Sequence, residues 1–279
     1  MTSANAKEPV PPAVRLLECK RPLVIAHRGY SQFAPENTLP AFELALKAGA
    51  DMVELDYHQS KDGAQMVIHD ATLDRTTDAK DRWQKKKIPA ASKTAAEIQS
   101  LDAGSWFDPK YAGTKIPLLI DVLDVVHAAG NVTLIERKNG DPADCVKMLQ
   151  EKSLINHVVV QSFSWDYLKD FHRLAPTQVL GALGPPETLA DGTKPSGMRK
   201  SLSAYWLDLL KPTGAKAVVW TDQVSKKTVR LAHERGLKVW IYTINDTKHA
   251  RQLLDLGVDG IITNNTSLIR QAVALSNRQ

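Results

Sequence analysis

The 279-residue sequence predicts an α/β fold, a (β/α)8 TIM barrel with a small insertion after the second strand. Three observations carry that prediction. Short apolar runs alternate with amphipathic or gap segments eight times along the chain, the number of strand-and-helix units that closes such a barrel. The length suits one α/β barrel as a single unit. The Gly-rich fingerprint of an open, doubly wound dinucleotide-binding sheet, the main competitor, is absent.

Residues 1–20 read as a flexible leader ahead of one TIM-barrel domain over 21–279. They contain Pro9, Pro11 and Pro12 but lack the basic-then-apolar order of a signal peptide. Leu23 to Ala26 is an apolar run ending at His27, Arg28 and Gly29, and after Pro35, Glu36 and Asn37 a helical pattern passes through Phe42, Leu46 and Ala48. Gly49 reads as its C-cap glycine, and Asp51 opens the next strand, completing a βαβ unit. Residues 57–116 break the rhythm and form the insertion: a KDG turn, a short strand at Gln65 to Ile68, a basic and polar segment, a helix at Thr94 to Leu101, and an aromatic loop with Trp106, Phe107 and Tyr111. The alternation resumes with a helix at Asp121 to Ala129, a strand at Val132 to Glu136 and a helix at Pro142 to Glu151. Further strands follow at Val158 to Gln161, Val179 to Leu183, Ala217 to Trp220, Val239 to Thr243 and Gly260 to Thr263. Between the fifth and sixth of the eight barrel strands, Gly184 to Lys200 holds three prolines and three glycines, which forbid regular structure. In a barrel that loop emerges on the face that carries active sites, so a substrate-contacting loop or lid and a loop without a role weigh equally.

Composition narrows the class. A hydrophobic fraction of 43% and a charged fraction of 24% are globular averages, and no apolar run approaches bilayer-spanning length, which points to a soluble protein. The default compartment is the cytoplasm; a secreted or periplasmic location stays open should a signal have been removed. The net charge of +5 has one conspicuous basic run, Lys85 to Lys87, without interleaved aromatics, so it reads as solvated surface and not as a nucleic-acid site. Cys19 and Cys145 lie far apart and outside any metal or redox motif.

The chemistry centres on Asp51 to Asp70. Period-two alternation puts Met52, Glu54 and Asp56 on one strand face, and two converging carboxylates require a cation to offset them. Barrel closure gathers strand ends, so His27 and Arg28 join them from the first strand, Glu136 and Lys138 from the third, and His69 from the hairpin after the second. Oxygen ligands from Glu54, Asp56 and Glu136 favour Mg2+ or Ca2+, with zinc disfavoured for want of His or Cys ligands. His27 and His69 each end an apolar strand beside charged residues and can supply a base and an acid near neutral pH. Arg28 and Lys138 can neutralise phosphoryl charge. The other six histidines, His58 among them, read as structural or exposed.

The segments AHRGY with APENTLPAF, VELDYHQSKDG, VIHDATLDRTT, LDAGSWFDPKYAGTKIP, LIERK, VVQSF and GVDGIITNN closely resemble the glycerophosphodiester phosphodiesterase family, in order over roughly residues 23 to 265. The resemblance implies a TIM barrel with an insertion after strand two and metal ligation by Glu54, Asp56 and Glu136. It implies acid-base roles for His27 and His69, phosphate contacts from Arg28 and Lys138, and a small-molecule glycerophosphodiester as substrate. Gln161, Tyr242 and Asn264 become candidate substrate contacts, the last two because the family commonly has Trp and Asp there. Leu118 and Ile120 replace the usual polar residues after the insertion, beside a retained Asp121. Arg137 stands where an aliphatic residue is usual and calls for a helix-borne acidic partner or a solvated tip. Two alternatives stay open: a phospholipase D-like relative acting on lysophospholipids, and a non-catalytic phosphate-binding barrel.

Overall fold

The computed structural model describes residues 9–197 and 200–276. Eight parallel strands close on themselves: β1 (Leu23–Ala26), β2 (Met52–Gln59), β4 (Val132–Arg137), β5 (Val158–Ser162), β6 (Leu180–Leu183), β7 (Ala217–Trp220), β8 (Lys238–Ile241) and β9 (Gly260–Thr263). β1 pairs with both β2 and β9, which seals the barrel. The ninth strand, β3 (Gln65–Val67), runs antiparallel to the end of β2 as a hairpin. Sequence and structure agree on the strands to within a residue or two, except that β2 runs three residues into the expected insertion, to Gln59, where it pairs with β3.

Alternation along the strands sorts side chains into two cores. Leu23, Ile25, Met52, Leu134, Val159, Val219, Trp240 and Ile262 fill the barrel interior. Val24, Ala26, Val53, Leu55, Ile135 and Val160 point outward, where helices such as Leu39–Lys47 and Leu119–Ala128 cover them with Phe42, Val122 and Val126. Both faces are therefore apolar, as a parallel strand buried on both sides requires.

Of the expected leader, residues 1–8 lie outside the described residues, and residues 12–17 correct the expectation of looseness. Pro12–Leu17 is a helix with Pro at its first position, Ala13 is fully buried, and its backbone N–H donates to Asn156 O at 3.0 Å. Asn156 precedes β5, so this helix packs beneath the barrel, at the end opposite the strands' carboxyl termini. Its side chains Val14, Leu16 and Leu17 add to the interior core. No described helix is long and apolar enough to cross a membrane.

The insertion carries its own small core of Met66, Ile68, Leu73, Ile88, Ile98, Leu101 and Ile116. Its helix, expected over Thr94 to Leu101, spans Ala95–Gln99 with Thr94 and Glu97 forming a capping box. The DAGSWF segment is a tight knot around Asp102, whose carboxylate accepts backbone N–H bonds from Gly104, Ser105 and Gly113. Gly104 faces the returning chain so closely that a Cβ there would lie 1.9 Å from Tyr111 O. Gly104→Ala should therefore destabilise the protein by about 1–3 kcal/mol, read as a lowered urea midpoint.

Candidate active site

The first turn of the site follows from β1. His27 ends the strand, and Arg28 and Gly29 then take successive positive φ values of 56° and 80°. That reversal aims the Arg28 backbone N–H at Glu54 Oε2, 2.7 Å away. Gly29 tolerates the conformation and also the approach of the following helix, since a Cβ there would lie 2.7 Å from Ala41 C.

Three carboxylates meet at the barrel mouth. Glu54 and Asp56 share the inner face of β2, and strand register sets Glu136 of β4 beside Asp56. All three are buried, with ligand oxygens within 4.8 Å of one another. Burial alone would raise the Asp56 pKa, but Lys138 and Arg28 outweigh it and hold the carboxyl well below its usual range. Lys138 Nζ lies 3.0 Å from Asp56 Oδ1 and also contacts Glu136 Oε1, while Arg28 Nε is 3.2 Å from Asp56 Oδ2. Burial and then Asp56 raise Glu136 to about 7 against the opposing pull of Lys138. Burial, Asp56 and Glu136 raise Glu54 well above its usual value, and its Oε1 has no hydrogen-bond partner. A buried, unpartnered carboxylate oxygen facing two more carboxylates fits a hard divalent cation, and the all-oxygen set points away from zinc.

Two imidazoles flank this cluster, each fixed through Nδ1. His27 Nδ1 meets Asn264 Oδ1 at 2.6 Å, and because an amide oxygen only accepts, Nδ1 carries the hydrogen and Nε2 is the ring's acceptor. Desolvation, then the Arg28 guanidinium, lower His27 to about 4. His69 comes from the loop after β3, where its Nδ1 meets Asp70 Oδ1 at 2.7 Å. Arg75 grips Asp70 through Nε at 2.7 Å and Glu36 through NH1 at 3.0 Å, and Glu36 accepts from Arg28 NH1 at 2.9 Å. The insertion's histidine is thus tied to the barrel's arginine by alternating charges. Arg75 in turn holds the Asp70 carboxyl below its usual range.

Both histidines, Arg28, Glu54, Glu136 and Lys138 line one cavity of ≈ 220 Å³, with Gln161 and Tyr242 on its wall. Gln161 is buried with Oε1 unpartnered, and Tyr242 donates to Gly184 O at 2.9 Å. Asn264, a candidate substrate contact, is hydrogen-bonded to His27 Nδ1. Arg137 has no acidic partner among the described residues: partly buried, its guanidinium stacks 4.6 Å from the Tyr167 ring and donates to Gly140 O. Asn37, read from the sequence only as a loop residue, donates from Nδ2 to Asp56 Oδ2 at 2.9 Å, and its Oδ1 accepts from the Asp56 N–H. Glu36, Asp70 and Arg75 were likewise given no site role from the sequence, and the signal for them lay in the PENT and HDATLDR segments. His58, read as a default histidine, hydrogen-bonds the His69 carbonyl at 3.0 Å and so steadies that loop.

Replacing the neutral partner of His27 by a charged one tests this electrostatic account. Asn264→Asp should raise the His27 pKa by one unit or more, because a carboxylate favours the imidazolium. The ring's proton NMR titration measures it, and an unchanged pKa would show that Asn264 does not govern the ring.

The model of the glycerophosphoryl diester phosphodiesterase family matches residues 27–268. A glycerophosphodiester phosphodiesterase of Bacillus subtilis (strain 168) is 33% identical over 275 residues, covering 92% of this chain and 88% of that protein. A namesake from Caldanaerobacter subterraneus subsp. tengcongensis is 32% identical over 248 residues, covering 87% and 93%. Among solved structures, an Oleispira antarctica phosphodiesterase in complex with the product sn-glycerol-3-phosphate superposes with a TM-score of 0.78 at 27% identity, covering 92% of this chain and 99% of that one. A glycerophosphodiester phosphodiesterase from Agrobacterium tumefaciens gives a TM-score of 0.72 at 28% identity, covering 90% and 99%. With the family model spanning nearly the whole barrel and relatives above 30% identity along almost their full length, this chain belongs to the glycerophosphoryl diester phosphodiesterase family.

Proposed function

We propose that the protein hydrolyses glycerophosphodiesters, such as glycerophosphocholine or glycerophosphoethanolamine, to glycerol 3-phosphate and a free alcohol. The observation that carries this reading is one cavity lined by two Nδ1-anchored imidazoles, two cations and two members of a cluster of three buried carboxylates. The Oleispira relative's product complex is consistent with it.

The glycerol 2-hydroxyl attacks phosphorus, the alcohol leaves, and water opens the resulting cyclic phosphate. One imidazole takes the hydroxyl proton through Nε2 and the other protonates the departing oxygen, the two exchanging roles in the second step. Asn264 and Asp70 keep both rings turned toward the phosphate. Each proton transfer is worth roughly 10²–10⁴ in rate, so charge neutralisation by Arg28 and Lys138 must add to it. Glu54, Asp56 and Glu136 would hold Mg2+ or Ca2+, which would supply further neutralisation of the phosphoryl oxygens. Both cations now lean on Asp56, so a bound divalent ion would free them for phosphate.

Turnover of the two diesters with and without a chelator, then with Mg2+ or Ca2+ restored, tests the reading. Activity should vanish with the chelator and return with metal. His27→Ala and His69→Ala should each cut alcohol release by about 10²-fold or more while metal binding persists. Retained turnover in both variants would sink the mechanism, and faster cleavage of a lysophospholipid than of the soluble diesters would favour the phospholipase D-like alternative.

A further inference from the structure

A second cavity, of ≈ 590 Å³, adjoins the catalytic one. His69, Glu136, Lys138 and Phe163 line both, so the two spaces meet at the catalytic groups. A phosphodiester displaced in line needs such a division, because the attacking and departing oxygens stand on opposite sides of phosphorus. The attacking hydroxyl belongs to glycerol, which is small and common to all these diesters and suits the smaller cavity beside His27 and Arg28. The departing alcohol varies in size and suits the larger one.

The charges in the larger cavity differ in how far they are satisfied. Asp70 is bound by Arg75 and His69, and Glu136 and Lys138 contact each other. Arg137 stacks on Tyr167 and bonds to Gly140. Glu187 is exposed and has no ion pair among the described residues. Its backbone is nevertheless pinned: Glu187 N–H donates to Phe163 O at 2.9 Å, and Thr188 O accepts from Trp165 N–H at 3.0 Å. The Thr188 hydroxyl is bonded to Asp166 as well. This start of the Pro- and Gly-rich loop therefore presents, from a pinned backbone, a carboxylate without an ion pair among the described residues to the cavity that Phe163 also lines.

We propose that this second cavity seats the alcohol half of the diester and that Glu187 selects alcohols bearing a positive charge, an ammonium or quaternary ammonium group; the proposal rests on the hydrolytic function proposed above. The carboxylate attracts the cation, and Phe163 offers an aromatic wall to its methyl or methylene groups. Arg137 and Lys138, already engaged, do not cancel it.

The test compares kcat/KM for glycerophosphocholine with that for glycerophosphoglycerol, whose alcohol is neutral, in the metal-loaded wild type, Glu187→Gln and Glu187→Lys. The ratio should favour the choline diester in the wild type, fall about fivefold in Glu187→Gln and fall further in Glu187→Lys. Because each ratio is taken within one protein, a partly misfolded variant does not distort it. A ratio unmoved by both substitutions, with both diesters still cleaved, overturns the subsite and leaves the hydrolytic function standing. A wild type that cleaves neither diester overturns both.

Discussion

Three carboxylates in a space where their oxygens lie within 4.8 Å of one another set the terms for the whole barrel mouth. At an effective dielectric constant near 20, each such pair of unit charges repels by about 3 kcal/mol or more. The surrounding chain answers that repulsion at Asp56, whose carboxylate meets Lys138 and Arg28 and accepts from Asn37 Nδ2. It answers little at Glu54, whose one bonded oxygen accepts the Arg28 N–H and whose other is unpartnered. Glu54 and Glu136 consequently hold a proton more readily than ordinary carboxyls. A divalent cation is the one ligand that would satisfy all three at once.

The same constraint explains why the insertion sits where it does. A closed barrel brings His27, Arg28, Glu54, Asp56, Glu136 and Lys138 together from strand ends, but it provides no second imidazole facing the carboxylates. The β3 hairpin, stiffened by its own apolar core, brings His69 back over the mouth. Arg75 then locks the hairpin to the Pro-Glu-Asn loop after β1 through Asp70 and Glu36. Because Glu36 also bonds Arg28, any movement of the hairpin would disturb the arginine that faces the carboxylates. Stability and chemistry are coupled through one row of ion pairs, most of them partly shielded from water.

Much of this was legible in the sequence. Alternation alone puts Glu54 with Asp56 and Glu136 with Lys138, and the eight-fold repeat makes their convergence a matter of geometry. The roles of Asn264 and Arg137 were not legible, since a side chain's partner depends on loop conformation and helix packing that periodicity does not encode. Asn264 could be seen as polar at the end of a strand, but only its 2.6 Å contact with Nδ1 makes it the partner of His27. Arg137 points outward as alternation requires, yet its partner is a ring on the helix Trp165–Leu174 and a carbonyl three residues ahead. The N-terminal segment misled through its prolines: Pro12 at the first helical position starts the helix and does not prevent one.

Calorimetric titration of the metal-free protein with Mg2+ and with Ca2+, beside the Glu54→Gln variant, tests the central claim most directly. The account predicts one ion bound per wild-type chain and at least a tenfold weaker affinity in the variant, whose fold and remaining two carboxylates are kept. Absence of binding to the wild type, or equal affinity in the two proteins, would contradict it.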